Sequence, residues 1–190
     1  DRGVKEVMLI AQELTYYGLD KNKKRELPKL LHALADIKGL EWIRLHYAYP
    51  SKFPIEIIDA IKERDNICNY LDMPLQHAAN NMLKLMKRQI TREEMEDLVG
   101  EIRNRMPGIC LRTTLIAGFT GETRDDVEEL KMFLQKMRFD RVGIFTYSHE
   151  EGTSAFNLAD NIPAVEKEER AQEIMEVQQE ISLEKNQEKV

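Results

Sequence analysis

The chain has 190 residues, and 28 Lys and Arg against 34 Asp and Glu leave a net charge of −6, with 42% hydrophobic and 33% charged side chains. That balance is globular rather than disordered, no apolar run approaches the roughly 20 residues that span a bilayer, and the acidic excess argues against strong nucleic-acid binding, which needs clustered Lys and Arg. The two cysteines, Cys68 and Cys110, lie far apart between apolar neighbours, which excludes a disulfide framework and a closed zinc site.

Short β-rich runs alternate with longer amphipathic stretches, the pattern of a parallel α/β fold, either a doubly wound sheet or a barrel lacking some strands. The first strand is expected over Glu6 to Gln12 and ends in Gln12-Glu13, a pair able to hold an ammonium group and a hydroxyl. Taken alone, a solvated loop is the plainer reading. A helix over Lys24 to Asp36 precedes the second strand, Trp42 to Tyr47, where Arg44 and His46 occupy alternate positions and so share one face. On a barrel interior that face requires an anionic ligand or a carboxylate partner; at a solvent-facing edge it requires neither, and periodicity does not choose.

A helix over Pro54 to Arg64 leads to the third strand, Tyr70 to Leu75, which runs into Gln76-His77. Asn80 and Asn81 open the next helical region, Asn80 to Arg105. His77 reads as a base, a ligand or a helix cap, and metal ligation is the weaker choice because no Asp, Glu or Cys stands close to it in sequence. Thr91 with Glu94 forms a capping box, and Pro107-Gly108 terminates the region.

The fourth strand, Cys110 to Ala117, carries Arg112 and Thr114 and enters the turn Gly118-Phe119-Thr120-Gly121. Glycines there let backbone amides approach an anionic or polar group, although the pattern lacks the Gly-Lys-Ser/Thr ending of a phosphate loop. Thr123, Asp125 and Asp126 then start a helix over Arg124 to Arg138, in which Val127, Leu130, Phe133, Leu134 and Met137 recur at helical spacing as core. The fifth strand, Arg141 to Tyr147, is followed by Ser148 and His149, with no nucleophile elbow to support serine hydrolysis. Residues 164–190 read as a final amphipathic helix with Ile174, Val177, Ile181 and Leu183 on one side. The expected organisation is a core over 1–163 and a helix over 164–190 leading toward a further domain, with both ends reading as cuts through a larger protein.

In this order, LIAQELTYYG at 9–18, WIRLHYAYPSKFP at 42–54, YLDMPLQHA at 70–78, LRTTLIAGFTGET at 111–123 and FDRVGIFTYSHEEGTSAF at 139–156 resemble the radical S-adenosylmethionine methylthiotransferases. The forms WIRLHYAYP and RFDRVGIFTYSHEEGT are closer to the RimO type, which modifies a ribosomal protein, than to the tRNA-modifying MiaB type. The resemblance implies a partial TIM-like (β/α) barrel of the radical SAM type, with about five of six parallel strands present. It implies S-adenosylmethionine and two 4Fe-4S clusters as cofactors, a basic ribosomal protein as substrate, an electron donor as partner, no membrane and a cytoplasmic location. The implied reaction places a methylthio group on the β-carbon of an aspartate in a small-subunit ribosomal protein.

The family's Cys-x-x-x-Cys-x-x-Cys and its three further cysteines are not in this sequence, so no metal ligand is expected here and the isolated chain is expected to be inactive. Cys68 and Cys110 are read as buried thiols, and Thr120 stands where the family commonly has Pro. No catalytic residue is assigned. Because parallel α/β folds place ligands at the C-terminal ends of strands, cofactor or substrate contacts are expected from Gln12, Glu13, Gln76, Arg112, Thr114, Gly118 and Tyr147. Three alternatives stand beside this reading: a MiaB-type enzyme, a non-catalytic binding fragment, and a cluster-free lyase, which would need a Schiff-base lysine that none of the five strands supplies.

Overall fold

A computed structural model describes residues 3–188. Five strands, β1 (Glu6–Leu9), β2 (Trp42–Leu45), β3 (Ile67–Asp72), β4 (Cys110–Ala117) and β5 (Arg141–Thr146), form one sheet in chain order. The β1–β2, β2–β3 and β3–β4 pairs are parallel. A doubly wound sheet reverses its strand order partway; this one does not, and its open, sequential progression is that of an incomplete (β/α) barrel. Seven helices connect and follow the strands: α1 (Leu19–Asn22), α2 (Leu27–Ala35), α3 (Glu56–Lys62), α4 (Asn80–Leu85), α5 (Arg92–Arg105), α6 (Arg124–Met137) and α7 (Ala164–Gln187). Among the described residues, no helix is long and apolar enough to cross a membrane.

The chain divides into two compact units, one comprising the residues through Pro74 with Asp97–Arg112, the other Leu75–Glu96 with the residues from Thr113 onward. In the first, Ile43 and Leu45 of β2 and Ile67 and Leu71 of β3 are buried beneath Leu27 and Leu31 of α2 and Ile57, Ile58 and Ile61 of α3. Their alternate neighbours, Arg44, Cys68 and Tyr70, lie on the other face and are partly exposed, as the two-residue period of a strand requires. Cys68 and Cys110 are therefore half-buried on the helix-free face, which corrects their reading as core thiols.

In the second unit α6 folds as its sequence dictates. The Thr123 hydroxyl accepts from the Asp126 N–H at 3.2 Å while the Asp126 carboxylate accepts from the Thr123 N–H at 2.8 Å, a reciprocal cap. Val127, Leu130, Phe133, Leu134 and Met137 are all buried. Burial works to raise the Asp126 pKa, but hydrogen bonds from Thr123 and Asn81 outweigh it and hold the carboxyl below its ordinary 3.8. Thr123→Ala is expected to cost about 1 kcal/mol in urea denaturation at neutral pH. The carboxylate's contribution is present above the ordinary value and is lost as pH falls through the lowered one. The stability margin of wild type over Asp126→Ala should accordingly narrow below about pH 4, and a margin constant down to pH 2 would contradict this assignment.

Several boundaries differ from expectation. β1 ends at Leu9 rather than Gln12. The third strand lies three residues earlier, because Pro74 offers no N–H to a ladder and the residues from Leu71 to Leu75 are all buried, so burial does not mark where the strand ends. The helical region from Asn80 breaks after Leu85, where Lys87 adopts φ +55° and the Arg88 N–H closes back to the Leu83 carbonyl at 2.8 Å. In α7 the buried stripe is Lys167, Arg170, Ile174, Gln178 and Ile181, while Leu183 is exposed. The helix's last expected residues, 189–190, lie outside the described ones.

Candidate functional site

In the first unit the strand ends assemble a polar row on the helix-free face. Arg44 donates from Nε to Glu6 at 2.9 Å and its guanidinium lies 5.2 Å from the Tyr70 ring centre. His46 Nδ1 is 3.6 Å from Asp72 Oδ2, and Arg112 Nη1 is 3.5 Å from Asp72 Oδ1. Asp72, whose side chain is 1% exposed, lies against His46, and Glu6 pairs with Arg44, so Arg44 and His46 each meet a carboxylate. Burial first, and then the Asp72 charge, push the Tyr70 phenol above its ordinary value, because both penalise a phenolate. Arg112 is thus engaged with Asp72, and nothing about that pairing depends on a ligand.

Gln12 is exposed in the turn after β1. Glu13 is partly buried, and its Oε1 accepts from the Thr15 N–H at 2.9 Å and the Thr15 hydroxyl at 2.6 Å, so it caps the short helical turn Leu14–Tyr16. The Tyr49 N–H donates to the same oxygen at 3.4 Å, so Glu13 is oriented by its own loop and by the segment after β2.

The second unit gathers Gln76, Thr114, Gly118 and Tyr147. Gln76 carries φ +76°, a left-handed backbone that costs a non-glycine residue about 1–2 kcal/mol. It is held there by β4: its N–H donates to the Thr114 carbonyl at 2.9 Å and its carbonyl accepts from the Ile116 N–H at 2.8 Å. Strain retained at a strand end is a recurrent mark of a ligand-facing residue. Thr114 alternates with buried Thr113 and Leu115, which places its hydroxyl on the partly exposed side of β4. Tyr147 donates its N–H to the Ala117 carbonyl, and its ring packs edge-on against Phe119 at 4.8 Å.

The glycine turn is held by side chains distant in sequence. Glu122 Oε1 accepts from the Gly118 N–H at 2.9 Å and from Arg170 Nη1 at 2.9 Å, while its Oε2 meets His77 Nε2 at 3.3 Å. The Ala78 and Ala79 N–H groups both donate to His77 Nδ1, at 2.9 and 3.0 Å. Nδ1 must therefore offer a lone pair, and Nε2 carries the proton donated to Glu122. His77 folds back on the two amides that follow it, ahead of α4, whose N-cap Ala79 has no side-chain cap, and it is the partner of a carboxylate 45 residues away, which local sequence could not reveal. Lys167 fills the space behind Gly118, anchored by Asp160 at 2.6 Å.

Two observations bear on cofactors. The Thr120 hydroxyl is buried in the turn with no hydrogen-bond partner, a polar atom available to a ligand where a proline would offer none. Together with the strained Gln76 and the half-exposed Thr114, this fits a polar ligand such as a nucleoside. For an iron–sulfur cluster the fit fails: among the described residues there is no group of three or more His, Cys, Asp or Glu able to hold a metal ion.

The family model of the Radical SAM superfamily matches residues 1–134. The chain is 55% identical over 189 residues to the ribosomal protein uS12 methylthiotransferase RimO of Cytophaga hutchinsonii, covering 100% of this chain and 43% of that protein. It is 54% identical to the protein of the same name from Flavobacterium johnsoniae, covering 99% and 43%. The chain thus spans less than half the length of these relatives. Among solved structures, coproporphyrinogen III oxidase (HemN) from Escherichia coli, a radical SAM enzyme, superposes with a TM-score of 0.72 at 19% identity, over 94% of this chain and 41% of that one. The radical S-adenosylmethionine methyltransferase TsrM from Kitasatospora setae gives 0.58 at 22% identity, over 76% and 28%. At these identities the likeness is one of fold, and the fold is the partial radical-SAM barrel.

Proposed function

This chain belongs to the radical SAM superfamily, and on that premise we propose that it is the barrel core of a RimO-type methylthiotransferase, which replaces a hydrogen on the β-carbon of an aspartate in ribosomal protein uS12 with a methylthio group. The supporting observation is identity of 50–55% to proteins of that name over 96–100% of the chain. S-adenosylmethionine and two 4Fe-4S clusters supply the one-electron chemistry and the transferred group when bound. Cluster ligation is assigned, in this reading, to none of the described residues, and the isolated chain does not turn over.

The chain's own residues bind and orient. Gln76, Thr114 and the Gly118 turn contact S-adenosylmethionine, with Tyr147 beside the turn. Gln12, Glu13 and Arg112 are the corresponding strand-end candidates of the first unit. Holding reactants in register is the barrel's contribution to rate, and exclusion of water protects a reactive species from side reactions. A net charge of −6 suits a basic ribosomal protein arriving in the cytoplasm.

The test is anaerobic iron and sulfide reconstitution of the full-length protein, then incubation with S-adenosylmethionine, a reductant and purified uS12. The expected result is a peptide of uS12 heavier by one methylthio group in place of hydrogen, located on aspartate by tandem mass spectrometry. Modification of tRNA instead would move the assignment to the MiaB type, and no modification of either would refute it. Gln76→Ala in the same protein should leave stability within about 1 kcal/mol while weakening S-adenosylmethionine binding, since the residue is partly exposed and its backbone bonds survive. Unchanged affinity would remove Gln76 from the site.

A further inference from the structure

We infer that Arg170, on α7, is a positioning residue for S-adenosylmethionine: through the buried Glu122 carboxylate it sets the Gly118 turn, with His77 holding the second oxygen of the same carboxylate. The inference rests on the preceding reading, in that the turn is taken as a contact for that cofactor.

Glu122 is buried within this network, with a side-chain exposure of 0%, and Arg170 is 5% exposed. Arg170 Nη1 donates to both the Glu122 carbonyl, at 2.8 Å, and Oε1, at 2.9 Å, while Nη2 reaches Glu166 at 2.6 Å. The guanidinium is therefore locked against its own helix and grips residue 122 by backbone and side chain together. Burial favours loss of its charge, but the bonds to Glu122 and Glu166 overcome this and hold its pKa above the ordinary arginine value.

The Gly118 N–H has the Glu122 carboxylate as its acceptor, and that carboxylate has Arg170 as its counter-charge. Removing the cation strands a buried carboxylate, which must then be protonated or turn toward water. Protonation weakens the acceptor facing the Gly118 amide and reorientation removes it, and either loosens the turn. Lys167, one turn earlier on α7, occupies the volume beside Gly118, so the first turns of this helix touch the glycine turn twice. None of these side chains faces the partly exposed side of β4 that carries Thr114, so their action on a ligand is indirect and passes through backbone geometry.

The experiment uses the full-length holoenzyme with Arg170→Met, Arg170→Lys and, as a control, Arg124→Ala, which breaks the exposed Arg124–Glu173 pair between α6 and α7 without touching Glu122. Three quantities are read: S-adenosylmethionine Kd by equilibrium dialysis, KM and kcat for its reductive cleavage, and amide hydrogen exchange across 116–123. Arg170→Met is expected to raise Kd and KM about tenfold with kcat changed less than threefold, and to lose protection across 116–123. Arg170→Lys, which keeps the charge, should recover most of the affinity, and Arg124→Ala should match wild type. Wild-type Kd and KM in Arg170→Met, even with a lower Tm, would reduce Arg170 to a docking residue and overturn the inference. Equal weakening by Arg124→Ala would overturn it as well, since any loosening of α7 would then suffice. A wild-type holoenzyme that binds no S-adenosylmethionine would instead sink the functional reading, and this inference with it.

Discussion

Gly118→Ala should destabilise the protein by roughly 2–5 kcal/mol and disable the turn after β4. The residue sits at φ +74°, where a side chain costs about 1–2 kcal/mol, and an added Cβ would lie 2.3 Å from Lys167 Cγ and 2.7 Å from Lys167 Cβ. Those atoms belong to the rigid end of the lysine, rooted in α7 and anchored by the Asp160 ion pair, so they cannot swing aside. Overpacking of this kind costs about 1–3 kcal/mol more. Gly152→Ala is the matched control: its φ is +79° and an added Cβ meets nothing within 4 Å. Urea denaturation of both variants separates backbone from clash. Equal losses would show that Lys167 yields freely, and that the packing argued for the turn is wrong.

Phe133→Ala should cost about 3–5 kcal/mol, the largest loss expected from a single core position in the second unit. The side chain is fully buried on the inward stripe of α6, with its ring centre 6.0 Å from that of Phe139. The Arg92 guanidinium lies 6.0 Å from the ring centre, so the loss combines apolar burial and the cavity left behind with a weak cation–π contact. Phe133→Leu should recover all but about 1.5 kcal/mol. If alanine costs under 1 kcal/mol, α6 is not anchored by this stripe.

The α6 stripe was legible because helical period and a cap at Thr123 are written into adjacent residues. The extent of β4 was equally plain, whereas the structure supplied the alternation that separates Arg112 and Thr114 from buried Thr113 and Leu115. Where a local signal was weak, the boundary moved. Residues on both sides of Pro74 are buried alike, so the end of the third strand had no clear alternation to mark it and the strand was displaced by three residues. Lys87 takes a left-handed cap conformation usually filled by Gly or Asn, so the break after α4 carried no residue-type signal. In α7 a search for apolar periodicity selected Val177 and Leu183, whereas Lys167, Arg170 and Gln178 occupy the buried face. Those polar side chains are tolerated there because Asp160, Glu122 and the Phe139 carbonyl receive them.

A parallel α/β class, the sequence of strands and helices, and the location of the polar strand ends follow from local order alone, since hydrophobic period, caps and glycine turns act over a few residues; the choice between a doubly wound sheet and an incomplete barrel does not. The pairing of charges does not. That Arg44 and His46 share a face was legible, but whether they meet carboxylates was not, and that Glu6 and Asp72 lie against them depends on which strands lie side by side. That His77 and Arg170 converge on Glu122, 45 and 48 residues away, is likewise a product of the assembled chain. A buried charge is stable only where a partner reaches it, and reach is a property of three-dimensional distance that no sequence interval encodes.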